Sequence, residues 1–287
     1  MKDFVPGRPH WWQWPTILSL DAPAVALLWQ WQLARVAHVT DSWPQALIVG
    51  ASVWLAYVID RWLEGWRLTP GQVQTQRHWF HQHHRWPVAA VWLTVLTGTM
   101  AFSFAALTTR ELVAGFLLLG PVLAYLLSHQ LIHRTSRWRA PKELCVAVLL
   151  TGGVSCFLLA SHPAAQSRIG VPLALFCLLC LANCSLISMW EHEVDRSQGQ
   201  TSLALQYPTG ARLLHLLPWL VAAIALGFAA RESGMLRTAS LGAAASGLLL
   251  GLIDRLHARC GRQLARTLAD VALMTPLIPL LLQLLTP

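Results

Sequence analysis

Long apolar runs recur along almost the whole chain, separated by short polar and basic segments. A helix needs roughly 20 mostly apolar residues to cross the hydrocarbon core of a bilayer. Runs of about this length cover residues 16–36, 44–63, 86–107, 112–132, 143–160, 170–190, 213–230, 236–254 and 266–285. Gly, Ser and Thr interrupt these runs, as they do in helices that pack closely within a membrane. The pattern predicts an all-α protein, a multi-pass transmembrane helical bundle of about nine helices.

The composition supports the same interpretation. Of the 287 residues, 55% are hydrophobic and only 12% are charged. Cytoplasmic loops of membrane proteins keep an excess of Lys and Arg. With the N-terminus inside, the outer segments carry few basic residues, namely Arg35, Arg110, Arg168, Arg231 and Arg237, and the rest of the 21 lie on the inner side. We therefore expect a protein of the cell (inner) membrane, with its N-terminus in the cytoplasm and its C-terminus outside.

We interpret the net charge of +8 first as a result of this topology. A second interpretation is that it attracts anionic lipids or a phosphorylated substrate. Nucleic-acid binding has little support. The first 15 residues contain Trp11, Trp12, Trp14 and Pro15 and no small-residue cleavage site, so they predict an interfacial N-terminal segment and not a cleaved signal peptide.

Two pairs of carboxylates fall where apolar runs end in basic segments: Asp60 with Glu64, and Glu191 with Asp195. Residues four apart lie on one face of a helix, one turn above the other. Each pair can therefore present two carboxylates to one point, an arrangement that suits Mg²⁺ when the ion also binds phosphate oxygens. Acidic residues at this depth in a membrane are costly and are usually functional.

The residues around these pairs resemble a known family. The second pair continues through Gly199 to Ser202 and Leu203, a pattern similar to the second aspartate-rich motif of the UbiA superfamily of intramembrane prenyltransferases. The first pair lies where that family has its motif Asn-x-x-x-Asp-x-x-x-Asp. The resemblance implies one UbiA-like transmembrane domain over residues 1–287, with nine helices and cytoplasmic active-site loops. The chain departs from the motifs at Ala56, Glu64 and Glu191, where the family has Asn, Asp and Asp.

The resemblance also implies a reaction. Asp60, Glu64, Glu191 and Asp195 would be the catalytic carboxylates and would hold Mg²⁺ against an isoprenoid diphosphate, whose prenyl group passes to a lipophilic acceptor such as an aromatic ring. The residues that we expect to bind the substrate are Arg61, Arg77, Lys142 and Arg196 at the diphosphate, with Tyr57 and Tyr125 as aromatic shields of the carbocation. Membrane lipids would surround the bundle.

Two alternatives remain open at the level of the sequence. His78, His81, His83 and His84, with His129 and His133, resemble the histidine boxes of membrane di-iron oxidases, although the spacing differs from the usual His-x-x-His-His. The same segment also predicts an interfacial helix that folds over the membrane surface or acts as a lid over the site. The second alternative, motivated by Ala56, is a UbiA-like protein that has lost catalysis and binds lipids or a partner.

Overall fold

The computed structural model describes residues 8–40, 42–68, 75–132, 141–197 and 202–285, and these residues are helical with no β-strand. A 3-10 turn, Trp11–Gln13, precedes the first helix, a π-helical turn, Leu127–Ile132, continues α6, and a second 3-10 turn, Pro163–Ala165, precedes α8. The α-helices are α1 (Trp14–Ile17), α2 (Asp21–Ala37), α3 (Trp43–Arg67), α4 (Gln76–His83), α5 (Arg85–Ala106), α6 (Thr109–Leu126), α7 (Lys142–Ser161), α8 (Gln166–Trp190), α9 (His192–Ser197), α10 (Leu203–Gln206), α11 (Pro208–Leu214), α12 (Leu217–Ala229), α13 (Gly234–Cys260), α14 (Arg262–Ala272) and α15 (Leu277–Leu285).

Each predicted apolar run overlaps a helix or a pair of helices. Among the described residues, six helices are long and apolar enough to cross a membrane, and α14 with α15 would make a seventh span if this pair, bent by 55°, is counted as one. Of the other two predicted runs, α2 has 17 residues and α12 has 13. The all-α, multi-pass membrane fold predicted from the sequence is confirmed.

Three predicted spans are broken where the sequence analysis expected continuous helices. Residues 16–36 divide between α1 and α2, residues 213–230 between α11 and α12, and residues 266–285 between α14 and α15. Pro218 and Pro276 lie at the second and third of these breaks. Proline has no backbone N–H to donate and disfavours helical geometry in the residue before it, so it interrupts a helix that hydropathy alone reads as continuous.

The core of the bundle lies along α8. Trp29 of α2 stacks on Phe176 of α8 with ring centroids 4.7 Å apart, and the Trp29 indole N–H donates to the carbonyl of Leu273 at 2.8 Å. Both rings are fully buried. In contrast, α5 and α6 bury none of the residues in their most apolar windows, which places them at the periphery, where their apolar side chains suit contact with lipid.

The N-terminal segment packs under one end of the bundle. The side chain of Gln13 donates to Gln263 of α14 at 2.6 Å, and the Trp54 indole of α3 donates to the carbonyl of Leu18 at 3.0 Å. Trp11 remains 84% exposed. These contacts link the segment to helices α3 and α14, both of which contribute residues to the polar chamber described below.

Candidate functional site

The two carboxylate pairs line one cavity, which we call the polar chamber. Asp60 and Glu64 lie one turn apart on α3. Glu191 follows α8, and the Asp195 amide donates to the Glu191 carbonyl at 2.9 Å, so the helical spacing of the second pair is retained across the junction with α9. All four side chains contribute to the lining of the chamber, whose empty space, including its opening, is about 1030 Å³.

Glu191 is held by two arginines. The Arg266 guanidinium of α14 donates to both Glu191 oxygens at 2.9 and 2.8 Å, and Arg77 donates to one of them at 3.2 Å. Burial by itself raises the pKa of Glu191, but the two guanidinium groups outweigh it and lower the pKa to about 2. Burial is also the main reason why the pKa of Arg77 is lowered. Glu191 is thus the ionised partner of an arginine pair.

Sequence reasoning missed the role of Arg266, which was read only as a topology charge. The available signal was its position four residues before Asp270, since this spacing places an arginine and an aspartate on one face of a membrane-associated helix. Glu143 was missed as well. It is buried, and one of its oxygens accepts from the backbone N–H of Leu203 at 3.0 Å, which links the start of α10 to α7.

Glu64 contacts the short helix α4. The imidazole Nε2 of His78 lies 3.3 Å from a Glu64 oxygen, and His78 is 1% exposed. Burial lowers the pKa of His78, and contact with Glu64 offsets this only in part. The Thr75 side chain caps this helix by accepting from the His78 amide, and the helix packs closely on Gly65 of α3. The amphipathic segment predicted as a membrane-surface helix or lid therefore covers α3 beside the chamber.

Asp195 pairs with Lys142, the first residue of α7. The Lys142 Nζ lies 3.7 Å from Oδ2 of Asp195, and this oxygen is buried without a hydrogen-bond partner. Burial raises the pKa of Asp195, and Lys142 lowers it by less. Lys142, which the sequence predicts as a diphosphate contact, thus lies at the chamber next to Asp195.

Two predicted diphosphate contacts differ from this pattern. Arg61 lines the chamber but is 5% exposed, and its guanidinium donates to the carbonyl of Thr16 and to Ser19 Oγ at 2.8 Å. It lies 3.7 Å from Asp21, so it fastens the N-terminal segment to α3. Arg196 is exposed on α9 and lines neither the polar chamber nor the apolar pocket that adjoins it. The reason is geometric, because Arg196 follows Asp195 directly and points about a quarter turn away from it.

An apolar pocket adjoins the polar chamber. Residues of α3, α6 and α7 line it, among them Ala56, Leu118 and Phe157, and its empty space is about 1010 Å³. Tyr57, Asp60 and Tyr125 line both cavities and mark their junction. Ala56, at the position where the UbiA motif has Asn, is therefore part of the apolar wall next to the charged chamber.

The histidines do not form a box in the described part of the chain. His81 Nδ1 lies 2.9 Å from the Arg77 carbonyl, and the His83 ring stacks on Trp79 with centroids 4.8 Å apart. Burial lowers the pKa of His81 to about 4. No group of three His, Cys, Asp or Glu side chains within residues 8–40, 42–68, 75–132, 141–197 and 202–285 is arranged to hold a metal ion by itself. His133 lies outside the described residues.

Asp21 of α2 and Asp270 of α14 also line the polar chamber. One Asp21 oxygen accepts from the Ala22 amide at 2.9 Å, and Asp270 accepts from the side-chain amide of Asn183 at 3.0 Å. Asp254 lies elsewhere and accepts from the indole of Trp190 at 3.0 Å. Trp190 is therefore part of the packing between α8 and α13 and does not line the chamber.

Comparison with known proteins gives a fold. A scan against protein-family models finds no match, and a search of curated proteins finds none either. Among solved structures, the chain resembles the apo structure of a UbiA homolog from Aeropyrum pernix K1, with a TM-score of 0.61 over 93% of this chain and 98% of that one, at 16% sequence identity. The protein has the UbiA-like fold of a multi-pass, all-α membrane protein. The resemblance noted in the two carboxylate motifs is confirmed at the level of the fold.

Proposed function

We propose that the protein is a membrane-embedded, Mg²⁺-dependent prenyltransferase that moves an isoprenoid chain from its diphosphate to an aromatic or other lipid-phase acceptor. The observation that carries the proposal is the junction of the polar chamber with the apolar pocket at Tyr57, Asp60 and Tyr125. An isoprenoid diphosphate is divided in the same way, since a highly charged head is joined to an apolar tail. Concave sites with an apolar wall and few polar groups are typical of such ligands.

The cationic side chains of the chamber supply contacts for the diphosphate. Arg77, Arg266 and Lys142 approach it from α4, α14 and α7, and each is less than one-third exposed. A guanidinium can bind phosphate with two parallel hydrogen bonds, whereas an ammonium acts as a point charge. Glu191 holds the two guanidinium groups in place, so the pair is organised before the substrate arrives.

The residues fit Mg²⁺ in donor type, with fewer protein ligands than the sequence predicted. Carboxylate oxygens suit this ion, which commonly takes one or two carboxylates and completes its shell with substrate phosphate and water. Glu64 and Glu191 are engaged by His78 and by the arginine pair. Asp195 has a buried oxygen without a hydrogen-bond partner, and Asp60 lines both the polar chamber and the apolar pocket, so these two residues would hold the ion. Bound Mg²⁺ would neutralise negative charge on the diphosphate.

The transfer step uses the shape of the two cavities. The allylic carbon–oxygen bond breaks with both electrons passing to the diphosphate, whose charge Arg77, Arg266 and Lys142 stabilise. A nucleophilic atom of the acceptor forms a bond to the same carbon, and the proton that the acceptor loses passes to the departing diphosphate. Tyr57 and Tyr125 present π-faces at the junction where the carbon would carry positive charge. The apolar pocket holds the tail away from water.

The test is a thermal-shift series with Mg²⁺ and geranylgeranyl diphosphate, combined with a mass-spectrometric search for prenylated acceptors. Asp60→Asn and Asp195→Asn should abolish the ligand-induced stabilisation and any transfer. The midpoint without ligand should stay within about 3 °C of wild type, the shift that corresponds to roughly 1 kcal/mol. Glu193→Gln is the matched control, because Glu193 is an exposed acid on the same short helix.

A response to Mg²⁺ and diphosphate that survives in both aspartate variants would contradict the site assignment. A lipid-binding protein without catalysis is the second candidate. It is favoured by the contacts that already engage Glu64 with the His78 imidazole and Glu191 with two guanidinium groups. That candidate predicts Mg²⁺-independent binding of uncharged isoprenoids and no turnover with any acceptor.

A further inference from the structure

One part of the polar chamber lies outside the proposed diphosphate site. Helices α2, α8 and α14 pack together there and contribute Asp21, Asn183 and Asp270 to the lining, with Cys184 and Ser188 beside them. We call Asp21, Asn183 and Asp270 the acidic recess. None of these residues lines the apolar pocket, whose walls come from α3, α6 and α7. The recess and the apolar pocket are therefore built from different helices.

The acidic recess has more hydrogen-bond acceptors than donors. The Asn183 amide nitrogen donates to Asp270 Oδ1 at 3.0 Å, while the Asn183 amide oxygen is buried and has no hydrogen-bond partner. Asp21 Oδ2 is likewise buried without one. Asp21 is 5% exposed and Asn183 is 6% exposed. A buried acceptor that loses water and gains no donor is costly, so these oxygens favour a ligand that brings N–H or O–H groups.

The nearby cations are already engaged. Arg61 is the closest guanidinium to Asp21, at 3.7 Å, but it also donates to the Thr16 carbonyl and to Ser19. Arg266 lies one helical turn before Asp270 and donates to both oxygens of Glu191. The guanidinium nearest to Asp21 and the one a helical turn from Asp270 are therefore both committed to other acceptors. A ligand carboxylate in the recess would face two acidic residues without a cation available to receive it.

We infer that the acidic recess binds the head of the acceptor, and that this acceptor carries a hydroxyl or amine at that end and no negative charge. The inference rests on the proposed function, because it assumes that a second substrate enters the chamber beside the diphosphate. The acceptor's donors would satisfy Asn183 and Asp21, and its nucleophilic part would lie toward the junction at Tyr57 and Tyr125. An acceptor acid of the same size would be excluded by charge, since a site rejects a competitor most effectively by repulsion.

Three phenols that differ only in the end of a two-carbon side chain test this inference: tyrosol ends in a hydroxyl, tyramine in an ammonium and 4-hydroxyphenylacetate in a carboxylate. Their binding is measured by calorimetric titration into the full chain in detergent, with and without geranylgeranyl diphosphate. Tyrosol and tyramine should bind about tenfold more tightly than the acid, a factor that corresponds to about one hydrogen bond to a charged group.

Two variants assign the preference to the recess. Asn183→Leu should weaken tyrosol binding about tenfold. Asp270→Asn should narrow the difference in affinity between the alcohol and the acid, because it replaces one of the two acidic side chains of the recess with a neutral amide. Ser167→Ala, at an exposed position of α8, the helix that carries Asn183, is the control. Each variant should still be stabilised against heat by Mg²⁺ and the diphosphate, because the residues proposed to bind them are not changed. This retained thermal shift shows that the variant is folded.

Equal or tighter binding of the acid, binding of none of the phenols, or an equal change for all three in Asp270→Asn would overturn the inference, provided that the protein still responds to the diphosphate. Absence of any response to the diphosphate is a different result. It would contradict the proposed function itself, whatever the three phenols do.

Discussion

Glu191 shows how a single residue can have a different role from the one its motif suggests. It stands where the resembling family has an aspartate, and it accepts hydrogen bonds from both Arg77 and Arg266. Glutamate is one methylene longer than aspartate, which extends its reach toward α14. In the second carboxylate pair, Glu191 is therefore the ion-pair partner of the arginines, and Asp195 is the candidate Mg²⁺ ligand.

The variant Glu191→Gln should therefore be much less stable than Asp195→Asn. The first leaves two largely buried guanidinium groups without their carboxylate, which costs on the order of 3–5 kcal/mol. The second removes the carboxylate next to Lys142, but the Lys142 side chain is 28% exposed, so water can still solvate its charge. Denaturant unfolding in detergent micelles, followed by tryptophan fluorescence, measures both changes. Equal stability of the two variants would contradict the assignment of Glu191 as a structural ion-pair partner.

The contribution of Glu191 to the stability of the fold should depend on pH. The pKa of Glu191 falls from 4.5 to about 2 on folding, so below pH 4.5 the unfolded chain binds more protons than the folded one. The stabilisation is fully present above pH 4.5 and is lost as the pH falls toward 2. The difference in stability between wild type and Glu191→Gln should shrink over this range. A difference that is independent of pH would show that the ionised form of Glu191 is not what stabilises the fold.

At the scale of helices, α12 and α13 depend on glycine for their close approach. A Cβ added at Gly247 would lie 2.7 Å from the Pro218 carbonyl oxygen and 3.0 Å from the Ala222 amide nitrogen. Both are backbone atoms of the facing helix and cannot move alone. The short helix α12 is thus held against the bundle by a contact that only glycine permits, as in other membrane helix pairs.

We expect Gly247→Ala to destabilise the protein by about 1–3 kcal/mol, because the two helix backbones must separate. Gly98→Ala is the matched control, since Gly98 is also helical and a Cβ there would meet nothing within 4 Å. In the control, the better helix propensity of alanine should leave stability unchanged or slightly higher. The measurement is the thermal midpoint in detergent. Similar midpoints for the two variants would contradict the packing argument.

At the scale of the whole molecule, the distribution of basic residues predicts the orientation in the membrane. Single cysteines placed at His83 and Leu285, on a background without the native thiols, should react with an impermeant maleimide from opposite sides. His83 should be labelled from the cytoplasm and Leu285 from outside, as expected if α14 and α15 cross together. Labelling of both from the cytoplasm would mean that the bent pair is a re-entrant loop and that the predicted outer C-terminus is wrong.

The sequence by itself determined the membrane class, the all-α architecture and the position of its apolar segments, because hydropathy over about 20 residues is a local property of the chain. It also determined that Asp60 and Glu64 share one helix face, since that depends only on helical spacing. The breaks at Ser19, Leu216 and Pro276 were missed because a short interruption hardly changes the mean hydropathy of a run. The prolines that accompany two of them were a usable signal.

Only the tertiary structure decided which charged groups meet. Arg266 and Glu191 are far apart in the chain, as are Asp270 and Asn183, and helix packing brings each pair within hydrogen-bond distance. Arg61 and Arg196 looked equivalent in the sequence, each following an aspartate, yet one is buried against the N-terminal segment and the other is exposed on α9. Helical spacing fixes the face on which a side chain lies, but the neighbour on that face is set by how the helices pack, and this depends on contacts between residues distant in sequence.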